Sequence, residues 1–265
     1  MDILRRALAP ISDSAWSEID EEAQRTLHEH LSARSIVDFS GPHGWELGSL
    51  NLGRVSTEKT TEGVNWGMRQ VRPLIETRVP FVLNQQELDS VDRGSKTPEL
   101  EPVQEAAKKI AHFEEKALYM GFSKGGIEGL IKSSSQSPVK LPQNSEGYMD
   151  SIENSVLAMQ QSSISGPFHL VLGTKPFSTV MKGDTKGYSL KARLIDIIGG
   201  SIHWSPVLKG GVFLSARGGD FEFTVGQDLS IGYASHDREG VEFYLTESFT
   251  FSINEPAAAI ELRAD

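Results

Sequence analysis

The most constraining stretch lies near the C-terminal end. Val241, Phe243, Leu245, Phe249, Phe251 and Ile253 share one parity, and Glu242, Tyr244, Thr246, Ser248, Thr250 and Ser252 share the other. Side chains of a strand alternate between the two faces of a sheet, so this run predicts one long strand with an apolar face against a core. Glu247 breaks the rule by falling on the apolar side. A lone buried carboxylate is costly unless a cation or several donors meet it, and an Arg or Lys partner from elsewhere in the chain is expected for Glu247.

Further strands and turns surround this run. Val212–Ser215, Phe221–Val225 and Leu229–Tyr233 read as strands, punctuated by Arg217-Gly218-Gly219-Asp220 and by a hairpin turn near Asp237–Gly240. Upstream, Asp150–Trp204 alternates types: a helix from Ile152 to about Gln161, a strand Phe168–Leu172, a helix Leu190–Ile198 closed by Gly199, and a strand Ile202–Trp204. The polar stretch Ser133–Ser145 reads as a loop or a crossing between domains.

Two long helices precede these. Ser12 and Asp13 form a cap for Trp16, Ile19, Ala23, Leu27 and Leu31, an apolar stripe running through Ala33, with a charged opposite face. The stripe serves either the chain's own core or a binding groove. Pro102 opens and Gly121 closes a second helix carrying Val103, Ala106, Ala107, Ile110, Phe113, Ala117 and Leu118. Its charge run His112–Lys116 reads as a solvated face.

Between the helices, Glu46–Leu83 reads as a two-stranded arm with a polar tip at Glu58–Gly63, and Val79, Phe81 and Leu83 alternate on its return. Two strands extending from a core do not hold themselves together in water, so a neighbouring subunit is expected to cover the arm.

Composition narrows the function. A formal charge of −10 over 265 residues, with no block of Lys and Arg, disfavours nucleic acid as a partner. The chain has no cysteine, which removes disulfides, thiolate metal sites and thiol nucleophiles. Met1–Trp16 has no signal-peptide core and no segment reaches membrane-spanning length, so a cytoplasmic protein without a membrane partner is expected.

No convincing active site emerges. Gly121-Phe122-Ser123-Lys124-Gly125 has the letters of a serine-hydrolase elbow, with Asp220 and His236 in the matching order, but a helix leads into Ser123 where that elbow needs a strand. Gly218-Gly219-Asp220-Phe221-Glu222 is a hairpin turn with no phosphate loop beside it. The histidines, His28, His30, His43, His112, His169, His203 and His236, lack the spacing of a zincin or a di-iron bundle. No catalytic residue, metal or cofactor is expected.

Across nearly its full length the chain resembles the encapsulin shell proteins, or linocin-type bacteriocins. The resemblance rests on the order and spacing of several segments: Leu8-Ala9-Pro10-Ile11 with Ala15-Trp16-Ser17-Glu18-Ile19, Gly41-Pro42 with Gly44-Trp45-Glu46, Glu87-Leu88-Asp89 with Arg93-Gly94, Gly129-Leu130, Gly166-Pro167, Arg217-Gly218-Gly219-Asp220-Phe221, and Gly226-Gln227-Asp228-Leu229-Ser230-Ile231-Gly232-Tyr233. It implies an α+β fold of the tailed-phage major capsid type (Hong Kong 97 type). Residues 1–45, 84–130 and 217–265 would form a peripheral domain, 46–83 the extended loop and 131–216 an axial domain.

The same resemblance implies a structural role: copies of the chain close into an icosahedral shell, sixty in the smallest arrangement, around an enzyme such as a dye-decolorising peroxidase or a ferritin-like protein. The cargo's C-terminal tail would dock on Leu27, Leu31, Arg34, Asp38, Asp228 and Ile231. The loop Lys182-Gly183-Asp184-Thr185-Lys186-Gly187-Tyr188 would line the pore at the five-fold vertex. Gln86 stands where a flavin-binding relative would need an aromatic residue, and Gly187 leaves the pore without a histidine. Two alternatives share some of these features: a phage or prophage capsid protein, which has the same fold, and a secreted antibacterial or proteolytic protein, against which the absent signal and the misplaced Ser123 motif count.

Overall fold

The computed structural model describes residues 3–57, 62–185 and 187–264. In chain order the helices of two turns or more are α1 (Asp13–His30), α2 (Gln85–Asp92), α3 (Glu101–Met120), α4 (Tyr148–Gln161), α5 (Thr174–Lys182) and α6 (Leu190–Ile198). The strands that organise the molecule are β1 (Asp38–Ser40), β2 (Ser49–Thr57), β3 (Gly67–Pro73), β4 (Ile75–Asn84), β5 (Val139–Leu141), β6 (Phe168–Leu172), β7 (Ile202–Trp204), β8 (Gly211–Ser215), β9 (Phe221–Val225), β10 (Ser230–His236), β11 (Gly240–Ile253) and β12 (Ala259–Ala264). None of the described helices is long and apolar enough to cross a membrane.

The alternating run at Val241–Ile253 is the centre of the first sheet. Along one edge β11 pairs antiparallel with β4, from Gly240↔Asn84 to Phe249↔Ile75. Along the other it pairs first with β10 and then with β9, and β1 lies parallel to β9. Its apolar parity is buried: Val241, Phe243, Phe249 and Phe251 are completely enclosed.

The second sheet runs β7–β6–β8–β12–β5. Its last strand in sequence, Ala259–Ala264, pairs with β8 and β5, so residues expected to end the peripheral unit complete the other sheet instead. Apolar Ala259, Ile260 and Leu262 hold it there, since all three are buried.

Helix α3 joins the two cores. Its first half (Val103, Ala106, Ala107, Ile110) packs with α1 and β11, and its second half (Ala117, Leu118, Tyr119) packs with the second sheet. Pro102 sits in its first turn, and Gly121 ends it at φ 90°, a backbone conformation that favours glycine.

The arm differs from its sequence reading. Strands β2 and β3 pair only with each other among the described residues, from Ser49↔Pro73 to Thr57↔Gly67. Val79, Phe81 and Leu83 belong to β4 and join the first sheet rather than the arm, because Phe81 and Leu83 bury themselves against Val241 and Phe243. Leu52, Val55, Met68 and Val71 on the two-stranded part stay exposed. Of the polar tip Glu58–Gly63, residues 58–61 lie outside the described residues.

Candidate docking groove

Helix α1 begins where Ser12 Oγ accepts a hydrogen bond from Ala15 N at 3.1 Å. Its stripe then divides. Ala15, Trp16, Ile19 and Ala23 are buried against the first sheet, whereas Leu27 and Leu31 are only half-buried. The helix ends at His30, three residues before the expected Ala33: Leu31 turns to extended backbone, and the next two amides point at Glu115 rather than back into the helix.

That change of direction opens a groove of about 500 Å³ between the end of α1 and the start of β10. Leu27, Leu31 and Arg34 line one side and Asp228 and Ile231 the other, with Leu4 and Arg6 of the N-terminal segment at one end. Five of the six residues expected to form a dock therefore share one groove. The sixth, Asp38, does not. Pairing of β1 beside β9 carries it to a separate cavity of about 230 Å³, where its Oδ2 accepts from Gly219 N at 2.6 Å.

The wall of the groove is a charge cluster. Arg34 reaches Glu114 at 2.6 Å, Asp228 at 2.7 Å and Glu247 at 2.9 Å, so the cation that Glu247 required is Arg34. Both glutamates are fully buried. Burial works against the Arg34 charge, but the hydrogen bonds and negative charge of Glu114, helped by Glu247 and Asp228, outweigh it and hold its pKa above the ordinary arginine value. Glu247 moves the other way: burial and the Glu114 charge push its pKa well above the carboxylate range despite Arg34. Its second oxygen, Oε1, has no donor. Burial beside a second buried carboxylate favours the neutral form of Glu247, and Arg34 only partly offsets it.

Glu115 fixes the turn beside the groove. It accepts from Ser32 N at 2.8 Å, Ala33 N at 2.7 Å, Ser32 Oγ at 2.6 Å and Ser205 Oγ at 2.7 Å. Burial still raises its pKa against these four donors. The charge run His112–Lys116 is thus not simply a solvated face, and the signal was in the spacing: Glu114 follows Ile110, and Glu115 follows Ala111, by one helical turn.

A second polar chain lies in the other sheet, where Ser201 Oγ meets His169 Nδ1 at 2.7 Å and His203 Nε2 at 2.6 Å. Burial depresses the pKa of both histidines, with His203 adding to the shift at His169.

The remaining candidate residues are scattered. Lys182 ends α5, Gly183 O accepts from Leu190 N at 3.0 Å, Asp184–Thr185 pairs with Tyr188–Ser189, and Tyr188 is 72% exposed. Gly187 lies between them at φ 79°. Lys186 lies outside the described residues. Ser123 is on an exposed turn with Lys132 Nζ at 3.1 Å, while Asp220 is bound to Arg217 and His236 to Tyr233, so the hydrolase letters have separate partners. Among the described residues no group of three or more His, Asp or Glu side chains could hold a metal ion.

Comparison with known proteins agrees with this architecture. The Linocin_M18 family, described as "encapsulating protein for peroxidase", matches residues 1–250. A type 1 encapsulin shell protein of Rhodococcus erythropolis is 40% identical over 263 residues, covering 99% of this chain and all of the relative. In fold, the chain is similar to a virus-like particle protein from Pyrococcus furiosus, with a TM-score of 0.68 at 16% identity over 94% of this chain and 99% of that one. It is also similar to the capsid of Myoviridae phage XM1, with a TM-score of 0.57 at 10% identity over 89% of this chain and 92% of the other. The chain belongs to the encapsulin shell-protein family and has the α+β fold of tailed-phage major capsid proteins.

Proposed function

We propose that this chain is the structural subunit of a closed icosahedral container that holds an enzyme, with no catalytic role of its own. The observation that carries the reading is the arm: Leu52, Val55, Met68 and Val71 are exposed on a ribbon that no other described strand joins. Exposed apolar residues gathered on one element mark an interaction surface, and repeated rotation about the same contact closes a finite shell. Many modest contacts per subunit then make the whole stable where one pair would be weak.

In this reading residues 131–216 gather around the five-fold axis, and the loop Lys182–Tyr188 lines a polar pore there, its charged residues favouring some ions over others. The groove at Leu27, Leu31, Arg34, Asp228 and Ile231 takes the C-terminal tail of a peroxidase or a ferritin-like protein on the inner wall. The family's description supports the peroxidase as the first to test.

Expression in the native host tests both parts. Particles that co-purify a haem peroxidase or a ferritin-like protein support the container, and Leu31→Asp should yield particles of the same size without that enzyme. Particles filled with nucleic acid would instead support a phage or prophage capsid.

A further inference from the structure

Strand pairing brings together two histidines that lie far apart in sequence. Strand β7 runs parallel to β6, with Ile202 opposite Leu170 and His203 opposite Val171. Side chains alternate along a strand, so His169, Ser201 and His203 fall on one face of the second sheet. Leu170 N donates to Ser201 O at 2.9 Å and Ser205 N to Leu172 O at 3.0 Å, which fixes β7 on β6 at both ends. Paired strands hold side-chain donors more precisely than loops do.

The two rings converge on one atom. Ser201 Oγ lies 2.7 Å from His169 Nδ1 and 2.6 Å from His203 Nε2, with the ring centroids 5.6 Å apart and the rings nearly perpendicular at 82°. Both histidines are half-buried, and each borders open space. His169 lines the cavity of about 230 Å³ that also holds Asp38. His203 lines another, of about 480 Å³, beside His28 and Leu31 at the end of α1. Imidazole nitrogen suits zinc, copper and nickel. Donor atoms around such an ion stand about 2.9–3.4 Å apart, so admitting one requires the present spacings to open by about 0.3–0.8 Å. Burial keeps both histidines neutral at pH 7, with the lone pairs a metal needs, and Asp38 adds a carboxylate to the cavity beside His169.

We propose that His169 Nδ1, His203 Nε2 and Ser201 Oγ bind a divalent transition-metal ion of the zinc type. Two imidazoles and a hydroxyl are fewer strong donors than a closed structural zinc site has, so water from the adjoining cavities completes the coordination. The ion replaces the shared hydrogen bonds: each ring carries its proton on its other nitrogen, and the hydroxyl keeps its own. Magnesium and calcium, which take oxygen donors, are not held. Strand β7 is three residues long and lies at the edge of its sheet, and the ion ties it to β6 through side chains as well as main chain.

The test uses the full chain expressed alone, stripped with EDTA and titrated with Zn²⁺ by calorimetry in excess Mg²⁺. The proposal predicts a zinc site in each chain whose affinity falls about tenfold or more in His169→Gln and in His203→Gln. His112→Gln, on the exposed face of α3, should leave that affinity unchanged. X-ray absorption of the zinc-loaded parent reads the site without any substitution, so it decides the matter even if a variant fails to fold, and a first shell with two imidazoles is expected. No zinc uptake by the parent, equal affinity in the parent and in a folded variant lacking both His169 and His203, or a first shell with fewer than two imidazoles overturns the proposal. The three side chains would then be a hydrogen-bonded brace and nothing more.

Discussion

The arm formed by β2 and β3 and the long strand β11 are both extended elements bearing several apolar residues. On β11 the apolar parity meets α1, α3 and a neighbour along each edge, and Phe243, Phe249 and Phe251 have no exposed surface. On the arm, Val55 and Met68 keep about three-fifths of theirs, at 58% and 62%. The same side-chain chemistry is structural in one place and unpartnered in the other. What separates them is whether the covering surface belongs to the same chain, and a ribbon of two strands cannot supply its own cover.

Removing each element should have opposite effects. Replacing residues 49–73 by a short flexible link should abolish particles while leaving a folded monomer, seen as lost scattering mass with unchanged cooperative unfolding. Truncation of a single side chain repeats the contrast. In that monomer, Phe249→Ala should cost about 3–5 kcal/mol in urea unfolding, as for a large buried aromatic. In the full chain, Met68→Ser should change subunit unfolding by no more than about 0.5 kcal/mol but lower the denaturant concentration at which particles dissociate.

The charge on β11 sharpens the comparison, since it is tolerated only because the fold supplies Arg34. Arg34→Ala leaves three carboxylates around an empty site and should destabilise the monomer by about 3–5 kcal/mol. Glu247→Gln imitates the protonated side chain and should stay within about 1 kcal/mol of the parent at neutral pH. The sign follows from the raised pKa of Glu247. The unfolded chain releases that proton in the ordinary carboxylate range while the fold retains it, so stability falls as the pH rises above that range, and Glu247→Gln should flatten the slope.

The smallest effect belongs to the second sheet. His169 and His203 resist protonation in the fold, so the unfolded chain binds more protons below about pH 6.5 and stability declines there. Unfolding midpoints measured from neutral pH downward should show that decline, and His169→Gln with His203→Gln should reduce it.

Strong periodicity made β11, α3 and most of α1 legible from sequence, because each buries one face and the pattern of that face is written in residue spacing. Glu247 announced its partner by violating the pattern, although only the fold identified Arg34. Helices α2 and α5 and the strand Ala259–Ala264 were not legible because they are short: α2 has an Asn84 cap but only about two turns, and α5 has no side-chain cap at all. The return of the arm was misread because alternation at Val79, Phe81 and Leu83 reveals that a strand is half-buried but not which strand it joins. Within the groove, the stripe gave Leu27 and Leu31. Arg34, Asp228 and Ile231 came from family resemblance alone, as did Asp38, and no local pattern could show that β1 carries Asp38 away.

The central claim is that the arm's missing cover is another copy of this chain. Negative-stain electron microscopy of the chain expressed alone, after size-exclusion chromatography, tests it most directly. The account predicts uniform hollow particles that are lost when the arm is removed. A monodisperse monomer or small oligomer from the intact chain would contradict it, because the exposed ribbon would then need a partner of a different kind.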